Sequence, residues 1–172
     1  MNRTELVRQL PSLRRYARVL TGDAWAADDL VQDTLERACT KWQLWVVGTD
    51  LRAWLFTLMH NLYLNQRRGA AVSLASVNLE DLAHELPAAA RPLDDALDLE
   101  SCLQRLPPEH RAVLLLVTLE DMSYEETGKV LGIPVGTVMS RLSRARARLR
   151  LLMDGTAPEA ARPVVPTLRR LK

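Results

Sequence analysis

The stretch from Ser123 to Leu152 leaves the chain little conformational choice. Ser123-Tyr124-Glu125-Glu126 is a capping box: the serine hydroxyl accepts from the amide of Glu126, and the glutamate reaches back to the amide of Ser123. A short helix therefore starts there and ends at Leu131-Gly132-Ile133-Pro134, since glycine caps a helix and proline cannot continue one. Val138, Leu142, Ala145, Leu149 and Leu152 then recur at helical spacing as the apolar seam of a longer helix. Helix, tight glycine-containing turn and helix make the helix-turn-helix layout.

The rest of the chain also reads as helix. It has 172 residues, 48% of them hydrophobic, but one Phe and seven Gly, a thin supply for a sandwich or barrel. An all-α fold is expected. Pro11 is followed by Leu13, Tyr16, Ala17 and Leu20 at helical spacing, with Gly22 as a C-terminal cap. From about Ala24 to Trp42, one stripe holds Val31, Leu35, Ala38 and Trp42 and another holds Asp29, Asp33 and Glu36, an amphipathic helix with an acidic outer face. Asp50 is an N-cap for a helix running through Leu51, Trp54, Leu55, Leu58 and Leu62 to Arg68, with Thr57, Asn61, Asn65 and Arg68 opposite. Periodicity lapses from Gly69 to about Pro92. A second block begins near Asp94 and is punctuated at Pro107-Pro108, after which a helix buries Val113, Leu114 and Val117. The organisation expected is two small helical domains, 1–68 and 94–153, a flexible acidic linker over 69–93, and a disordered basic tail over 154–172.

Charge is segregated. Asp23 to Glu36 carries five carboxylates and no Lys or Arg, and Arg141 to Arg150 carries five arginines and no acid. Glu80 to Glu109 has eight acids against Arg91 and Arg105. Two surfaces for two partners are implied, the basic one suited to a phosphate backbone. With the seam turned inward, Arg141, Arg144 and Arg148 are expected on the outer face, with Thr137 and Ser140 toward the N-terminal end, where a recognition helix meets base edges. The competing reading is an Arg-rich solvated face. For Asn61 and Asn65, beside Arg67 and Arg68, the choice lies between pairing with an unstacked base and ordinary surface amides. The run Asp28-Asp29-Leu30-Val31-Gln32-Asp33 admits a hard-cation site, a docking face for a partner's arginines, or a solvated helix face.

Other chemistry has little to stand on. No Gly-rich phosphate loop and no Ser/His/Asp or Cys/His grouping is present, so no enzyme and no cofactor is expected. Cys39 and Cys102 read as buried thiols, and His60, His84 and His110 as isolated surface or cap residues. Trp25, Trp42, Trp45 and Trp54 read as core or hinge aromatics. With no apolar run near the roughly 20 residues of a membrane span and no signal segment, a cytoplasmic protein is expected.

Taken together, the motifs resemble the extracytoplasmic-function (ECF) sigma factors of the sigma-70 family. Asp28 to Ala38 is similar to region 2.2, Trp54 to Asn61 with Arg67-Arg68 to regions 2.3 and 2.4, and Leu106 to Arg111, Ser123 to Glu126 and Gly136 to Arg141 to region 4. The resemblance implies a sigma factor that binds core RNA polymerase and directs promoter-specific initiation. It implies that Asp28, Asp29, Asp33 and Glu36 dock on the β′ clamp helices, with further contacts to the β subunit. Asn61, with the loop from about Trp45 to Thr49, would capture a flipped base of the minus-10 element, helped by Asn65, with Arg67 and Arg68 on the backbone. Thr137, Ser140, Arg141, Arg144 and Arg148 would face the minus-35 duplex. The acidic linker would lie near the active-site channel of the polymerase. Such factors are commonly held inactive by an anti-sigma protein, and the resemblance implies no small-molecule substrate and no covalent chemistry. Alternatives are a stand-alone helix-turn-helix regulator, a metal-dependent enzyme built on the Asp28 cluster, and a sigma mimic that only sequesters an anti-sigma factor.

Overall fold

A computed structural model describes residues 3–44, 50–76 and 95–155. Among them are seven α-helices and no strand: α1 (Arg3–Thr21), α2 (Ala24–Thr40), α3 (Leu51–Ser76), α4 (Asp95–Gln104), α5 (Pro108–Thr118), α6 (Tyr124–Leu131) and α7 (Val135–Met153). A single 3-10 turn, Trp42–Leu44, follows α2. The loop 45–49, the stretch 77–94 that holds most of the expected linker, and the tail from 156 lie outside the described residues.

Local chemistry sets most helix ends. Asp23 caps α2 by accepting from the Ala26 amide at 2.8 Å. The capping box of α6 forms in full, Glu126 N to Ser123 Oγ at 3.1 Å and Ser123 N to Glu126 Oε2 at 2.7 Å. Those bonds hold the Glu126 carboxyl below the usual carboxylate range. Gly132 ends α6 in the left-handed region at φ +65°, where a residue without Cβ carries no penalty.

Two helices run further than their patterning suggests. Helix α1 starts at Arg3 rather than at Pro11, which lies inside it. Pro11 is exposed, so water can serve the carbonyl that its missing N–H leaves unbonded. Helix α3 continues past Gly69 to Ser76, because Ala and Leu on the far side of a single glycine favour helix enough to outweigh its cost of about 1 kcal/mol. In α2 the buried stripe is Ala27, Leu30, Val31, Thr34 and Ala38, rotated from the expected one. Thr34 is tolerated inside because its hydroxyl donates to the Leu30 carbonyl at 2.6 Å.

The two halves share a core. One cluster joins Leu13, Tyr16, Leu20, Leu30, Leu55, Phe56 and Met59 of α1–α3 to Ala112, Leu115, Leu116, Met122 and Val130 of the C-terminal half. A second, smaller cluster belongs to the C-terminal half alone: Cys102, Leu106, Val113, Leu114, Val138, Leu142, Ala145 and Leu152. Helix α5 feeds both, with Val113 and Leu114 turned toward α7 and Ala112, Leu115 and Leu116 toward α1–α3. Full burial of a side chain such as Leu116 contributes about 1.5–3 kcal/mol, so the junction between the halves is a substantial apolar interface.

Several single-residue expectations need correcting. Cys39 is exposed, and only Cys102 is buried; Cys39 follows the core residue Ala38, and one step around a helix turns it outward. Trp25 is 84% exposed rather than a core aromatic, since it sits in the first turn of α2 away from the buried stripe. Trp42 and Trp54 form an edge-to-face pair with centroids 6.2 Å apart, and Trp45 lies outside the described residues. His60 is buried, because α3 is covered by the C-terminal half on that side. His110 is half-buried, and His84 lies outside the described residues.

Candidate nucleic-acid interface

Helix α7 turns its seam inward, with Val138, Leu142, Ala145 and Leu152 buried and Leu149 packed against them. Opposite stand Ser140, Ser143, Arg144 and Ala147, all exposed. The Ser140 hydroxyl donates to the Thr137 carbonyl at 3.1 Å. The arginines do not share one outer face as the spacing suggests. Arg144 is exposed, whereas Arg141 and Arg148 are half-buried on one flank, Arg141 where α7 borders the cleft shared with α3. Arg146 and Arg150 occupy the other flank with Met139, beside Tyr124. Sequence spacing does not single out Met139 or Ser143, yet both stand on the open face.

On α3, Asn61, Asn65, Arg67 and Arg68 are exposed. Thr57 is half-buried and its hydroxyl donates to the Ala53 carbonyl at 2.9 Å. Arg67 lies over the Tyr63 ring, 5.9 Å from its centroid. Arg67 and Arg68 line a cleft of about 510 Å³ together with His60, Tyr63, Ile133 and Arg141, so one residue of the predicted minus-35 group lies beside two of the minus-10 group, whereas Asn61, Asn65, Thr137, Ser140, Arg144 and Arg148 do not line it. The Nδ1 atom of His60 has no hydrogen-bond partner. Burial, and secondarily the Arg141 guanidinium, push the His60 pKa down to about 4, so the ring is neutral at pH 7.

The acidic face of α2 is open. Asp28, Asp29, Asp33 and Glu36 are exposed; Gln66 donates to Asp33 at 3.1 Å and Gln32 to Glu36 at 3.2 Å. Trp25 stands at the head of the same helix. Among the described residues, no group of three His, Cys, Asp or Glu is gathered as a metal would require.

Patterning gave no hint of the polar contacts between the halves. Glu120, in the turn between α5 and α6, has no exposed side-chain surface. It accepts from Arg15 of α1 at 3.0 Å and from Arg52 of α3 at 2.7 Å; among the described residues these are the only ion pairs. Arg15 and Arg52 also reach the carbonyls of Leu119 and Glu120. At the end of α1, Gln104 donates to the Val19 carbonyl at 2.7 Å and Arg111 to the Leu20 carbonyl at 3.1 Å, with Arg111 also bonded to Gln104. These are helix C-terminal carbonyls that would otherwise lack partners. A Cβ on Gly22 would meet the Gln104 side chain, so the glycine also makes room for this cap. What the sequence does signal is the burial of α5 between the halves, through the unbroken apolar run 112–117, since a helix apolar on all sides is buried on all sides.

Comparison with known proteins decides what these surfaces belong to. Residues 6–60 match the family model for the sigma2 domain of PhyR, and residues 96–149 match sigma-70 region 4. The ECF RNA polymerase sigma factor EcfG of Rhodopseudomonas palustris is 35% identical over 153 residues, covering 88% of this chain and 84% of that protein. The chain belongs to the ECF RNA polymerase sigma factors. Among solved structures, the sigma factor RpoE of Bartonella quintana, in complex with the anti-sigma factor NepR, superposes with a TM-score of 0.74 at 34% identity, covering 88% of this sigma factor and 95% of that chain. The anti-anti-sigma factor PhyR of the same organism shares the fold, with a TM-score of 0.58 at 19% identity over 85% of this chain and 48% of that one.

Proposed function

We propose that this sigma factor binds core RNA polymerase and directs initiation at a particular set of promoters through three separate surfaces. The exposed carboxylates Asp28, Asp29, Asp33 and Glu36 of α2 dock on the β′ clamp helices. Asn61 and Asn65 of α3 pair with a base drawn out of the minus-10 element, and Arg67 and Arg68 hold its backbone. Thr137, Ser140, Arg141, Arg144 and Arg148 of α7 meet the minus-35 duplex. The units that carry these roles are α1–α3 and α4–α7, so the first extends to Ser76, past the boundary at 68 that patterning suggests.

The observation that carries the reading is the split of unpaired charge. The α2 carboxylates and the α7 arginines are both left without ion pairs among the described residues, on helices of opposite charge in opposite halves. Unpaired exposed charge of one sign suits a partner of the other sign. Melting needs no covalent step: a base leaves the stack at a cost of a few kcal/mol, offset by pocket contacts. The protein acts in the cytoplasm, as an initiation factor and not as an enzyme. By analogy with its Bartonella neighbour, an anti-sigma protein is its regulator.

A gel-shift with promoter DNA tests this, run with and without core polymerase. Weak binding alone and tight, specific binding with core enzyme is the expected result; tight specific binding alone would make the chain a simple regulator. The match of residues 6–60 to a PhyR domain favours one other reading, a mimic that only sequesters an anti-sigma factor. Such a mimic would bind the inhibitor and give no shift with core polymerase.

A further inference from the structure

We infer that the cleft between α3 and α5–α7 is a binding site for a nucleoside monophosphate, with the phosphate held by Arg67, Arg68 and Arg141 and the base against the apolar walls. The site rests on its own geometry, and its effect on promoters rests on the sigma reading above.

Charge points to the phosphate. The cleft has a volume of about 510 Å³, within the range of about 300–1,000 Å³ usual for small-molecule sites. Arg67 and Arg68 line it from α3 and Arg141 from α7, and none of the three has an ion pair among the described residues. Like charges gathered from distant parts of the sequence repel one another. The acid on the wall is Glu109, in the first turn of α5. His60 is neutral, so three guanidiniums against one carboxylate leave a surplus of two positive charges. A phosphate monoester carries about −1.5 to −2 at pH 7 and answers that surplus, and guanidinium forks grip its oxygens in pairs.

The remaining walls point to the base. Leu64, Ala112, Leu131 and Ile133 line the cleft, and no Ser, Thr, Asn or Gln does. The hydroxyls of a bare sugar phosphate would find few partners there, whereas a flat base can be buried against such walls. Guanidinium planes stack on bases as they do on aromatic rings, and Arg67 already lies over the Tyr63 ring, 5.9 Å from its centroid. His60 adds a polar contact. It is 7% exposed and its Nδ1 has no hydrogen-bond partner, a condition that few buried polar atoms show. A neutral imidazole offers one donor and one acceptor, which suits the mixed donors and acceptors of a base edge.

The occupant is a free nucleotide and not the flipped promoter base, because Asn61 and Asn65 do not line the cleft. A nucleotide seated there engages the three arginines assigned above to the promoter. Ligand and promoter therefore compete, and the nucleotide acts as an inhibitor of initiation.

Isothermal titration calorimetry on the full chain with adenosine and guanosine monophosphates, against adenosine and ribose 5-phosphate, tests the site. At least one nucleotide should bind with a micromolar Kd, and the two fragments at least tenfold more weakly. Two variants should each lose at least tenfold. Arg68→Ala/Arg141→Ala removes charge from both walls, and Leu64→Trp fills the cleft while keeping all three arginines. Leu64 belongs to neither core cluster, so this variant should fold, which circular dichroism checks. No heat from either nucleotide up to about 1 mM, or undiminished binding by the folded variants, overturns the site. Ribose 5-phosphate that binds as tightly as the nucleotides overturns recognition of the base. In a gel-shift with core polymerase and promoter DNA, saturating nucleotide should weaken the wild-type complex and leave that of Leu64→Trp unaffected; a wild-type complex that ignores the nucleotide overturns the competition. A chain that shifts promoter with core enzyme but binds no nucleotide sinks the site alone, and one that binds nucleotide but gives no shift sinks the sigma reading and leaves the site standing.

Discussion

The acidic face of α2 and the turn between α5 and α6 put the same functional group to opposite uses. Asp28 and Asp29 stand in solvent with no ion pair among the described residues, while Glu120 is buried and satisfied by two arginines from the other half of the chain. A buried, fully paired charge fixes an arrangement. An exposed, unpaired one is available to a partner and contributes little to folding. Stability and function should accordingly respond to different residues.

The largest effect on stability is expected in the shared core. Leu116→Ala, at a fully buried position between the halves, should cost about 2–5 kcal/mol in chemical denaturation. Acidification should act on the same junction. His60 carries a pKa of about 4 in the folded chain against an ordinary 6.5, so the folded state resists the proton that the unfolded state accepts. The stability tied to the neutral ring is complete above pH 6.5 and is lost as pH falls from there toward 4, a change on the order of 1–3 kcal/mol. The groups facing that ring in the cleft are Arg67, Arg68 and Arg141, with Glu109 the acid among them. His60→Leu should flatten the pH dependence of thermal unfolding over that window.

Smaller still is Ser123→Ala, which removes one arm of the α6 capping box and should cost about 1 kcal/mol in the same denaturation assay. The smallest effect on folding belongs to α2. Asp28→Ala/Asp29→Ala should change stability by no more than about 0.5 kcal/mol, yet weaken core-polymerase binding at least tenfold in a fluorescence titration. A double variant that unfolds the protein, or one that binds core enzyme normally, would break the division between buried and exposed carboxylates.

The parts of this molecule legible in its sequence are those decided within one turn of helix. The Ser123 box, the Gly132 cap, the Gly22 cap and the α7 seam each depend on neighbours three or four residues away, and spacing alone announces them. The burial of Glu120 depends on Arg15 and Arg52, more than a hundred and nearly seventy residues distant, and no local pattern encodes it. His60 and Arg141 are misjudged for the same reason: each sits on a helix face that is outward until the other half of the chain covers it. Trp25 errs the other way, an aromatic that reads as core but stands beside the acidic face. The order of the three site motifs is legible from the sequence, whereas the meeting of Arg67 and Arg68 of α3 with Arg141 of α7 at one cleft is a property of the tertiary packing.

Run-off transcription with purified core polymerase and a promoter library, comparing the wild type with Asn61→Ala and Arg144→Ala, tests the central claim most directly. The account predicts specific initiation by the wild type, and for each variant a loss of at least tenfold with unchanged folding. Core polymerase that gains no promoter specificity from the wild-type chain would contradict it.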